Sequence, residues 1–156
     1  MRAEIPPFED APDDRVVVRT GAAGFRTDVV AGSHAFVVDE PVAVGGTDAG
    51  PTPYDLLVAA LGACTSMTLR MYADRKGWPL EGVTVRLRHA RVHAEDCANC
   101  ESGTAKVDRV TREIELAGPL DDTQRRRLLE IADRCPVHRT LSAGVRITTS
   151  LAGEHG

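Results

Sequence analysis

The sequence predicts a protein of the α+β class, in which antiparallel sheets surround one long central helix. Three short segments rich in Val, Phe and Thr come first, and an apolar helical segment at residues 53–76 follows them. The second half of the chain holds three more strand-like segments and two helical ones. Because the strands come in groups instead of alternating with helices, this order favours an antiparallel α+β fold over a parallel βαβ fold.

The length and charge of the chain limit its organisation and its partners. Residues 15–156 suffice for a single domain, and residues 1–14 form an acidic, proline-rich leader unlike a signal peptide. The net charge of −4 disfavours a nucleic-acid partner, and no apolar run is expected to span a membrane. We therefore expect a cytoplasmic protein. Cysteines in that compartment serve catalysis or metal binding more often than disulfides, and we expect the same of the four cysteines of this chain.

The first three strands are predicted to form an antiparallel meander. Gly32 and Ser33 leave a two-residue gap that is typical of a tight hairpin. A loop then covers residues 39–50, in which the glycines let the chain turn tightly. The predicted strands are Val16–Arg19, Phe25–Val30 and His34–Val38.

Both ends of the long helix are marked in the sequence. Thr52 is a good N-cap residue, and Asp55 completes a capping box three residues later. Arg75 and Lys76 place positive charge in the last turn, and Gly77 favours a left-handed stop. Since the short strands offer too little apolar cover for so long a helix, the pattern also indicates a partner chain. The residues predicted on the buried face are Leu57, Ala60, Leu61, Cys64, Met67, Thr68 and Met71.

The next two strands are predicted to follow the long helix as a pair. The first runs from residue 83 to about residue 93 with apolar and polar residues in alternation, and the second covers residues 105–116. A polar loop with a C-x-x-C sequence lies between them. Val107 is out of phase with the other apolar residues of its strand, which predicts a bulge near Asp108.

Two helices and a last strand complete the chain. A capping box at Asp121 and Gln124 begins a helix that must end by Cys135, because proline disfavours helical geometry at the residue before it. A short helix restarts at Pro136. The alternating residues of the predicted final strand are Val145, Ile147, Thr149 and Leu151.

Cys135 is the most informative thiol in the sequence. It takes the N-cap position of the short helix, where backbone N–H groups and the helix dipole favour a thiolate. Cys64, 71 residues earlier on the long helix, could converge with it for peroxide or disulfide chemistry. The alternative is that both are inert core residues, since free cysteines are commonly buried.

A zinc site is the competing interpretation. Cys97 and Cys100 form a C-x-x-C pair, and Cys135 and His138 supply a C-x-x-H pair, so the four residues are a possible tetrahedral ligand set. The 34-residue gap between the pairs argues against this site, because it holds a whole strand and a whole helix.

Two segments resemble the motifs of the OsmC/Ohr family of osmotically inducible proteins and organic hydroperoxide reductases. Residues 45–65, GGTDAGPTPYDLLVAALGACT, resemble the central-helix motif, and residues 132–141, ADRCPVHRTL, resemble the second cysteine motif. The C-x-x-C of Cys97 and Cys100 is similar to that of an OsmC-like branch with an extra cysteine pair. The resemblance implies an intertwined homodimer with the long helices at its centre.

The resemblance also implies thiol-dependent reduction of organic hydroperoxides without a cofactor. In the family pattern Cys64 is the peroxidatic thiolate and Cys135 the resolving thiol, and a dithiol such as a lipoyl group reduces their disulfide.

An arginine from the N-terminal strands is expected to hold the thiolate in this pattern, because burial disfavours the charged form of a thiol. Arg26 is our first choice for this cation, and Arg19 is the reserve. The family's orienting glutamate is replaced here by Tyr54, and Asp55 supplies the nearest carboxylate.

Overall fold

A computed structural model of the chain describes residues 15–93 and 106–153. The contacts divide the chain into two compact units, Met1–Leu57 and Val58–Gly156. The predicted leader and the loop with the C-x-x-C pair lie outside the described residues. Antiparallel sheets and a long helix are both present, so the predicted α+β class is confirmed. That residues 15–156 form one domain stays a prediction.

The first unit contains a three-stranded antiparallel sheet in the order β1-β2-β3. In the central strand, Val29 is paired with Val18 on one side and with Phe36 on the other. Residues directly opposite in a sheet share a face, so these three apolar side chains lie together. The predicted meander is confirmed, although its second strand begins only at Thr27. The strands are β1 (Val16–Thr20), β2 (Thr27–Ala31) and β3 (His34–Val38).

The loop after β3 is organised around the Asp39 carboxylate, which is buried. It accepts hydrogen bonds from the backbone N–H groups of Glu40, Thr47 and Ala49 and from the Thr47 hydroxyl. The Thr47 hydroxyl is the largest of these influences, and with the N–H groups it lowers the pKa of Asp39 to about 2 in spite of burial. Gly46 allows the turn, because a Cβ there would lie 1.8 Å from the Glu40 carbonyl oxygen.

The long helix α1 spans Pro53–Lys76, as predicted. At its start the Asp55 N–H donates to the Thr52 hydroxyl over 3.1 Å, and the Thr52 N–H donates to the Asp55 carboxylate over 2.9 Å. This reciprocal pair confirms the predicted capping box, and the backbone hydrogen bond from Thr52 is the main cause that lowers the pKa of Asp55. The helix ends at Gly77, which is left-handed with a φ of 64°.

The buried face of α1 is not the predicted one. Of the predicted stripe only Leu61 is buried, whereas Met67 and Met71 are 65% and 72% exposed. The prediction was wrong because α1 carries apolar residues on nearly every side, so their period does not select the side that packs on the chain's own sheet. The predicted stripe is largely uncovered. The residues that are buried are Leu61, Gly62, Thr65, Leu69 and Ala73.

Strands β4 (Gly82–His93) and β5 (Lys106–Ala117) pair antiparallel and form the sheet of the second unit. Helix α1 approaches β4 closely at Gly62, where a Cβ would lie 2.7 Å from Cδ1 of Leu87. A glycine at this position therefore lets the helix backbone lie against the strand.

The predicted bulge near Asp108 is absent. The register of β4 and β5 is continuous from the Gly82–Ala117 pair to the His93–Lys106 pair. Val107 lies directly opposite Val92 instead. Because side chains alternate between the faces of a strand, this valine pair lies on the opposite face from Ile114, and the phase change needs no extra residue.

Helices α2 (Asp122–Ala132) and α3 (Pro136–Ala143) follow the sheet. Asp121 and Gln124 form the predicted capping box of α2, with both reciprocal hydrogen bonds present. One cluster of buried residues joins α1, α2, the connection after α1 and the connection before α2 into the core of this unit. Its members are Leu69, Ala73, Leu80, Leu120, Leu128, Ile131 and Ala132.

The predicted final strand is also absent from the structure of the single chain. Residues 144–150 have no regular secondary structure, and Ile147 is 85% exposed. The prediction was wrong at this point because a strand needs a hydrogen-bonded neighbour, and neither sheet of the described residues includes this segment.

By length and composition alone, α1 is apolar enough to cross a membrane, contrary to the expectation from the sequence. Core helices of soluble proteins meet the same criterion, so this is weak evidence for a membrane span. Only 28% of its most apolar 18-residue window is buried within the chain, which leaves most of that window without full cover.

Candidate active site

The two thiols expected to react lie side by side in the second unit. Cys64 comes from the middle of α1, and Cys135 immediately precedes α3. Both are free cysteines, and hydrogen bonding from the Cys64 side chain is one of the influences that lower the pKa of Cys135. Residues 71 positions apart in the sequence are thus neighbours at one site.

Cys135 is fully buried and occupies the N-cap position of α3, as the sequence predicted. Its sulfur accepts the His138 backbone N–H over 3.3 Å. Burial is the largest single influence and works against ionisation. The hydrogen bonds from the His138 N–H, Cys64, Thr65 and the Val137 N–H outweigh it, and the pKa of Cys135 is lowered.

Cys64 differs from Cys135 in its access to solvent. It is partly exposed, although the sequence placed it on a buried helix face. A small molecule from solution therefore reaches the Cys64 sulfur more easily than the sulfur behind it. The site therefore contains one accessible thiol, Cys64, and one enclosed thiol, Cys135, whose pKa is lowered.

Arg112 of β5 is the cation that the fold brings to this site. Its guanidinium donates to the Thr65 hydroxyl over 2.9 Å and to the Ala132 carbonyl over 3.3 Å, and it forms an ion pair with Asp133 at 2.7 Å. The Arg112 side chain is only 12% exposed. Its contacts tie the strand both to the residue after Cys64 and to the turn before Cys135.

Arg112 was not among the predicted site residues, although the sequence contains a signal for it. Arg112 occupies the same face of β5 as Val110 and Ile114, which is the face of the half-buried apolar residues. A charged side chain in an apolar register is costly to bury unless partners satisfy it. Such a residue is a candidate for a structural or functional role.

His138 extends the charged groups of the site towards solvent. Its Nδ1 lies 3.8 Å from the Asp133 carboxylate that also binds Arg112. The His138 side chain is 32% exposed. The closer contact of His138 with the thiol pair is its backbone N–H, which donates to the Cys135 sulfur.

The other predicted site residues belong to the first unit. Arg26 is 55% exposed and pairs with Asp28 at 3.7 Å. The Asp55 carboxylate is bonded to Thr52 in the helix cap. Arg19 lies in β1. The catalytic roles expected for Arg26, Arg19 and Asp55 stay predictions.

The zinc interpretation also stays a prediction, because Cys97 and Cys100 lie outside the described residues. Within residues 15–93 and 106–153, no group of three or more His, Cys, Asp or Glu residues is arranged to hold a metal. Of the other two proposed ligands, Cys135 is a member of the thiol pair and His138 lies beside it.

Comparison with protein families gives a match that covers most of the chain. The family model described as OsmC-like protein matches residues 46–150 of this chain. This range includes the long helix and both cysteines of the pair. A search of curated proteins finds no match.

Solved structures share this fold at low sequence identity. A putative osmotic stress induced and detoxification response protein from Psychrobacter arcticus is 20% identical, with a TM-score of 0.63 over 85% of this chain and 90% of that chain. An OsmC-like protein from Mycoplasma pneumoniae is 16% identical, with a TM-score of 0.65 over 85% and 89%. The organic hydroperoxide resistance protein OhrB of Bacillus subtilis is 22% identical, with a TM-score of 0.56 over 80% and 87%.

Proposed function

Because this chain belongs to the OsmC-like protein family, we propose that it is a thiol-dependent peroxidase that reduces organic hydroperoxides through Cys64 and Cys135. The observation that carries the proposal is that these two thiols are neighbours, one partly exposed and one fully buried. Structural relatives of the same fold include proteins named for organic hydroperoxide resistance.

The proposed reaction oxidises the thiol pair by two electrons. The Cys64 thiolate attacks an oxygen of the hydroperoxide, the O–O bond breaks, and the alkoxide takes up a proton and leaves as an alcohol. Cys64 is then a sulfenic acid. The Cys135 thiolate attacks the Cys64 sulfur, the S–O bond breaks, and the leaving hydroxide takes up a proton to form water.

A dithiol of the lipoyl type closes the proposed cycle. One of its thiolates attacks the Cys64–Cys135 disulfide, and the second displaces the mixed disulfide. The dithiol leaves as a cyclic disulfide with two electrons fewer, and both protein thiols are restored. This chemistry requires a reducing compartment, so we propose that the protein works in the cytoplasm.

The division of labour between the two cysteines follows from their burial. Cys64 is the accessible thiol, which suits the residue that meets the peroxide. Cys135 is enclosed, and its lowered pKa suits the residue that attacks an oxidised neighbour instead of a molecule from solution.

We further propose Arg26 as the cation that stabilises the Cys64 thiolate, with Arg19 as the reserve. The support is the family pattern, together with the weak exposed pairing of Arg26 to Asp28 at 3.7 Å, which costs little to release. The rate of Cys64 alkylation in a variant without the other three cysteines measures this role. Arg26→Ala should slow it and Arg19→Ala should not; an unchanged rate in Arg26→Ala refutes the assignment.

The working unit in this proposal is a homodimer. The support is the uncovered apolar side of α1, where Met67 and Met71 are 65% and 72% exposed, and the unpaired alternating segment around Ile147. The sheet of the first unit also lines an apolar cavity of about 600 Å³ that includes Phe25 and Phe36. A second copy of the chain would cover such surfaces.

Light scattering tests the homodimer directly. Wild type should give twice the 16.7 kDa of one chain, and Met67→Glu with Met71→Glu should give a single chain. Leu129→Glu is the matched control, because Leu129 is 60% exposed on α2 and should leave the dimer intact. A particle of 16.7 kDa from wild type at micromolar concentration contradicts the proposal.

Peroxidase activity is tested by dithiol-dependent turnover of cumene hydroperoxide. Cys64→Ser should abolish turnover, and Cys135→Ser should stop it after one oxidation of Cys64. The double variant Cys97→Ser with Cys100→Ser is the control and should stay active. Equal activity of wild type and Cys64→Ser removes Cys64 from the mechanism. Stoichiometric zinc, with unfolding of the double variant, supports the metal site in place of the peroxidase.

A further inference from the structure

The Thr65 hydroxyl lies at the centre of the thiol pair's hydrogen bonds. Thr65 is fully buried and directly follows Cys64 on α1. Its Oγ1 donates to the Leu61 carbonyl over 2.7 Å and accepts from Arg112 over 2.9 Å. The same oxygen lies 3.9 Å from the Cys135 sulfur. One hydroxyl thus connects a buried cation to a buried thiol.

A hydroxyl has a single hydrogen, so Thr65 can donate to only one acceptor at a time. The distance of 2.7 Å to the Leu61 carbonyl, against 3.9 Å to the Cys135 sulfur, favours the carbonyl as the acceptor while Cys135 is a neutral thiol. Rotation about the Cβ–Oγ1 bond turns the same hydrogen towards the sulfur without moving any heavy atom. The Leu61 carbonyl then keeps the Thr65 backbone N–H as its ordinary partner in the helix.

We propose that Arg112 is a positioning residue that acts through Thr65: it holds the Thr65 hydroxyl beside Cys135, so that this hydroxyl can donate to the Cys135 thiolate during attack on the Cys64 sulfenic acid. The proposal rests on the function proposed above and adds two residues to it. Neither residue exchanges a proton or an electron in the step.

Arg112 suits this role because its guanidinium is fixed at three points. Ala132 and Asp133 are adjacent at the end of α2 and Thr65 lies on α1, and all three bind the one side chain. Because an N–H of Arg112 donates to Oγ1 of Thr65, this oxygen is an acceptor towards the arginine. The hydrogen of the Thr65 hydroxyl must therefore point to another group. A hydrogen bond that is polarised by a cation is also a stronger donor to an anion.

The assisted step has the same balance of atoms and electrons as the disulfide-forming step of the proposed reaction. The Cys135 thiolate forms the S–S bond, the S–O bond of Cys64 breaks, and the hydroxide takes up a proton from solvent. The Thr65 hydrogen bond stabilises the negative charge on Cys135 and so raises the fraction of thiolate that is available for the attack; it is released as the charge moves to the leaving oxygen.

Charged and titratable groups come close to Cys135 from α1, β5, the end of α2 and α3. Cys64 faces it from α1, Arg112 from β5 through Thr65, Asp133 from the end of α2, and His138 from α3. Removal of the Thr65 hydroxyl changes none of their charges. Its effect on the titration of Cys135 therefore reports the hydrogen bond itself.

The test is a pH titration of the ultraviolet absorbance of the Cys135 thiolate in a full-length variant with Cys64→Ala, Cys97→Ser and Cys100→Ser. Thr65→Val removes the hydroxyl at nearly constant volume, and Thr65→Ser keeps it. The proposal expects the thiolate of Thr65→Val to form at higher pH and that of Thr65→Ser to form as in the reference protein.

Arg112→Gln tests the positioning role, and Arg125→Met is its matched control. Arg125 also binds three groups of its unit, the carbonyls of Leu116, Gly118 and Leu120, but it does not touch the thiol pair. Arg112→Gln should move the titration in the direction of Thr65→Val, whereas Arg125→Met should lower only the unfolding temperature. If Arg112→Gln acts like Arg125→Met, Arg112 is a structural link alone and the proposal is overturned.

The kinetic expectation uses the protein with all four cysteines. After one equivalent of peroxide, and at a pH below the pKa of Cys135, Thr65→Val should form the Cys64–Cys135 disulfide about threefold more slowly than wild type. Loss of the hydrogen bond lowers the thiolate fraction about tenfold, and the higher nucleophilicity of the remaining thiolate offsets about half of this on a logarithmic scale. Thr65→Ser should restore the rate. An unchanged rate and titration in Thr65→Val overturn the inference. A wild type that forms no disulfide after peroxide refutes the proposed function. The titration needs no peroxide, so it tests the role of Thr65 separately from that outcome.

Discussion

Asp39→Asn is expected to destabilise the first unit by removing the anchor of the loop before α1. The Oδ2 atom of Asp39 accepts three hydrogen bonds, from the Thr47 N–H, the Thr47 hydroxyl and the Ala49 N–H. An asparagine that keeps its oxygen at Oδ1 for Glu40 presents an NH₂ group to these three donors. At least the two backbone N–H groups then lose their acceptor.

The number of lost hydrogen bonds sets the expected loss in the free energy of unfolding. A buried donor left without a partner costs about 1–3 kcal/mol. Thr47 and Ala49 are not buried residues, so water replaces part of the loss and the low end applies to each. We therefore expect a free energy of unfolding lower by about 2 kcal/mol, measured by urea denaturation with circular dichroism.

The pH dependence gives an independent check of the sign. The hydroxyl bond from Thr47 and the other donors hold the folded pKa of Asp39 at about 2, below the ordinary 3.8. A depressed folded pKa adds stability above the unfolded value, and this contribution is lost as pH falls from 3.8 towards 2. Wild type should lose stability over this range, and Asp39→Asn should lose less.

Asp48→Asn is the matched control, because Asp48 lies in the same loop with a φ of 55° that asparagine also tolerates. It should leave the urea midpoint unchanged. Hydrogen exchange at the Thr47 and Ala49 amides should accelerate only in Asp39→Asn. Unchanged exchange and an unchanged midpoint in Asp39→Asn would refute this account of the loop.

Three further predictions concern the second unit. Asp121→Ala removes the N-cap of α2 and should lower the free energy of unfolding by about 1 kcal/mol in urea denaturation, whereas Asp122→Ala should cost less. Leu128→Ala leaves a cavity in the core and should cost about 2–5 kcal/mol, with a lower thermal midpoint; a loss under about 1 kcal/mol would show that Leu128 is not tightly packed. Cys135→Ser should let the Cys64 sulfenic acid accumulate after peroxide, and dimedone labelling seen by mass spectrometry should exceed that of wild type.

The ends of the helices could be read from the sequence because they depend on neighbouring residues. The capping boxes at Thr52 and Asp121, and the left-handed glycine after α1, involve partners within a few positions. The same locality explains why the N-cap position of Cys135 was predicted from the proline that follows it.

The errors arose where a pattern had more than one tertiary solution. The apolar residues of α1 surround the helix, and the side through Thr65 and Leu69 packs inward instead of the side through Met67. Val107 faces Val92 across the sheet, and this pairing accounts for its change of phase without a bulge. The segment around Ile147 has a strand pattern and no strand beside it among the described residues.

The sequence by itself determined the class of fold, the helix ends and the two cysteine motifs, since each depends on local geometry and composition. Only the tertiary structure decided that Cys64 and Cys135 are neighbours, that Cys135 is the buried member, and that Arg112 and Thr65 complete the site. These residues come from α1, β5 and the start of α3, and nothing in their spacing along the chain fixes their distance in space. Packing of the sheet and helices on one core brings them together, and burial then gives their hydrogen bonds the strength that they lack in water.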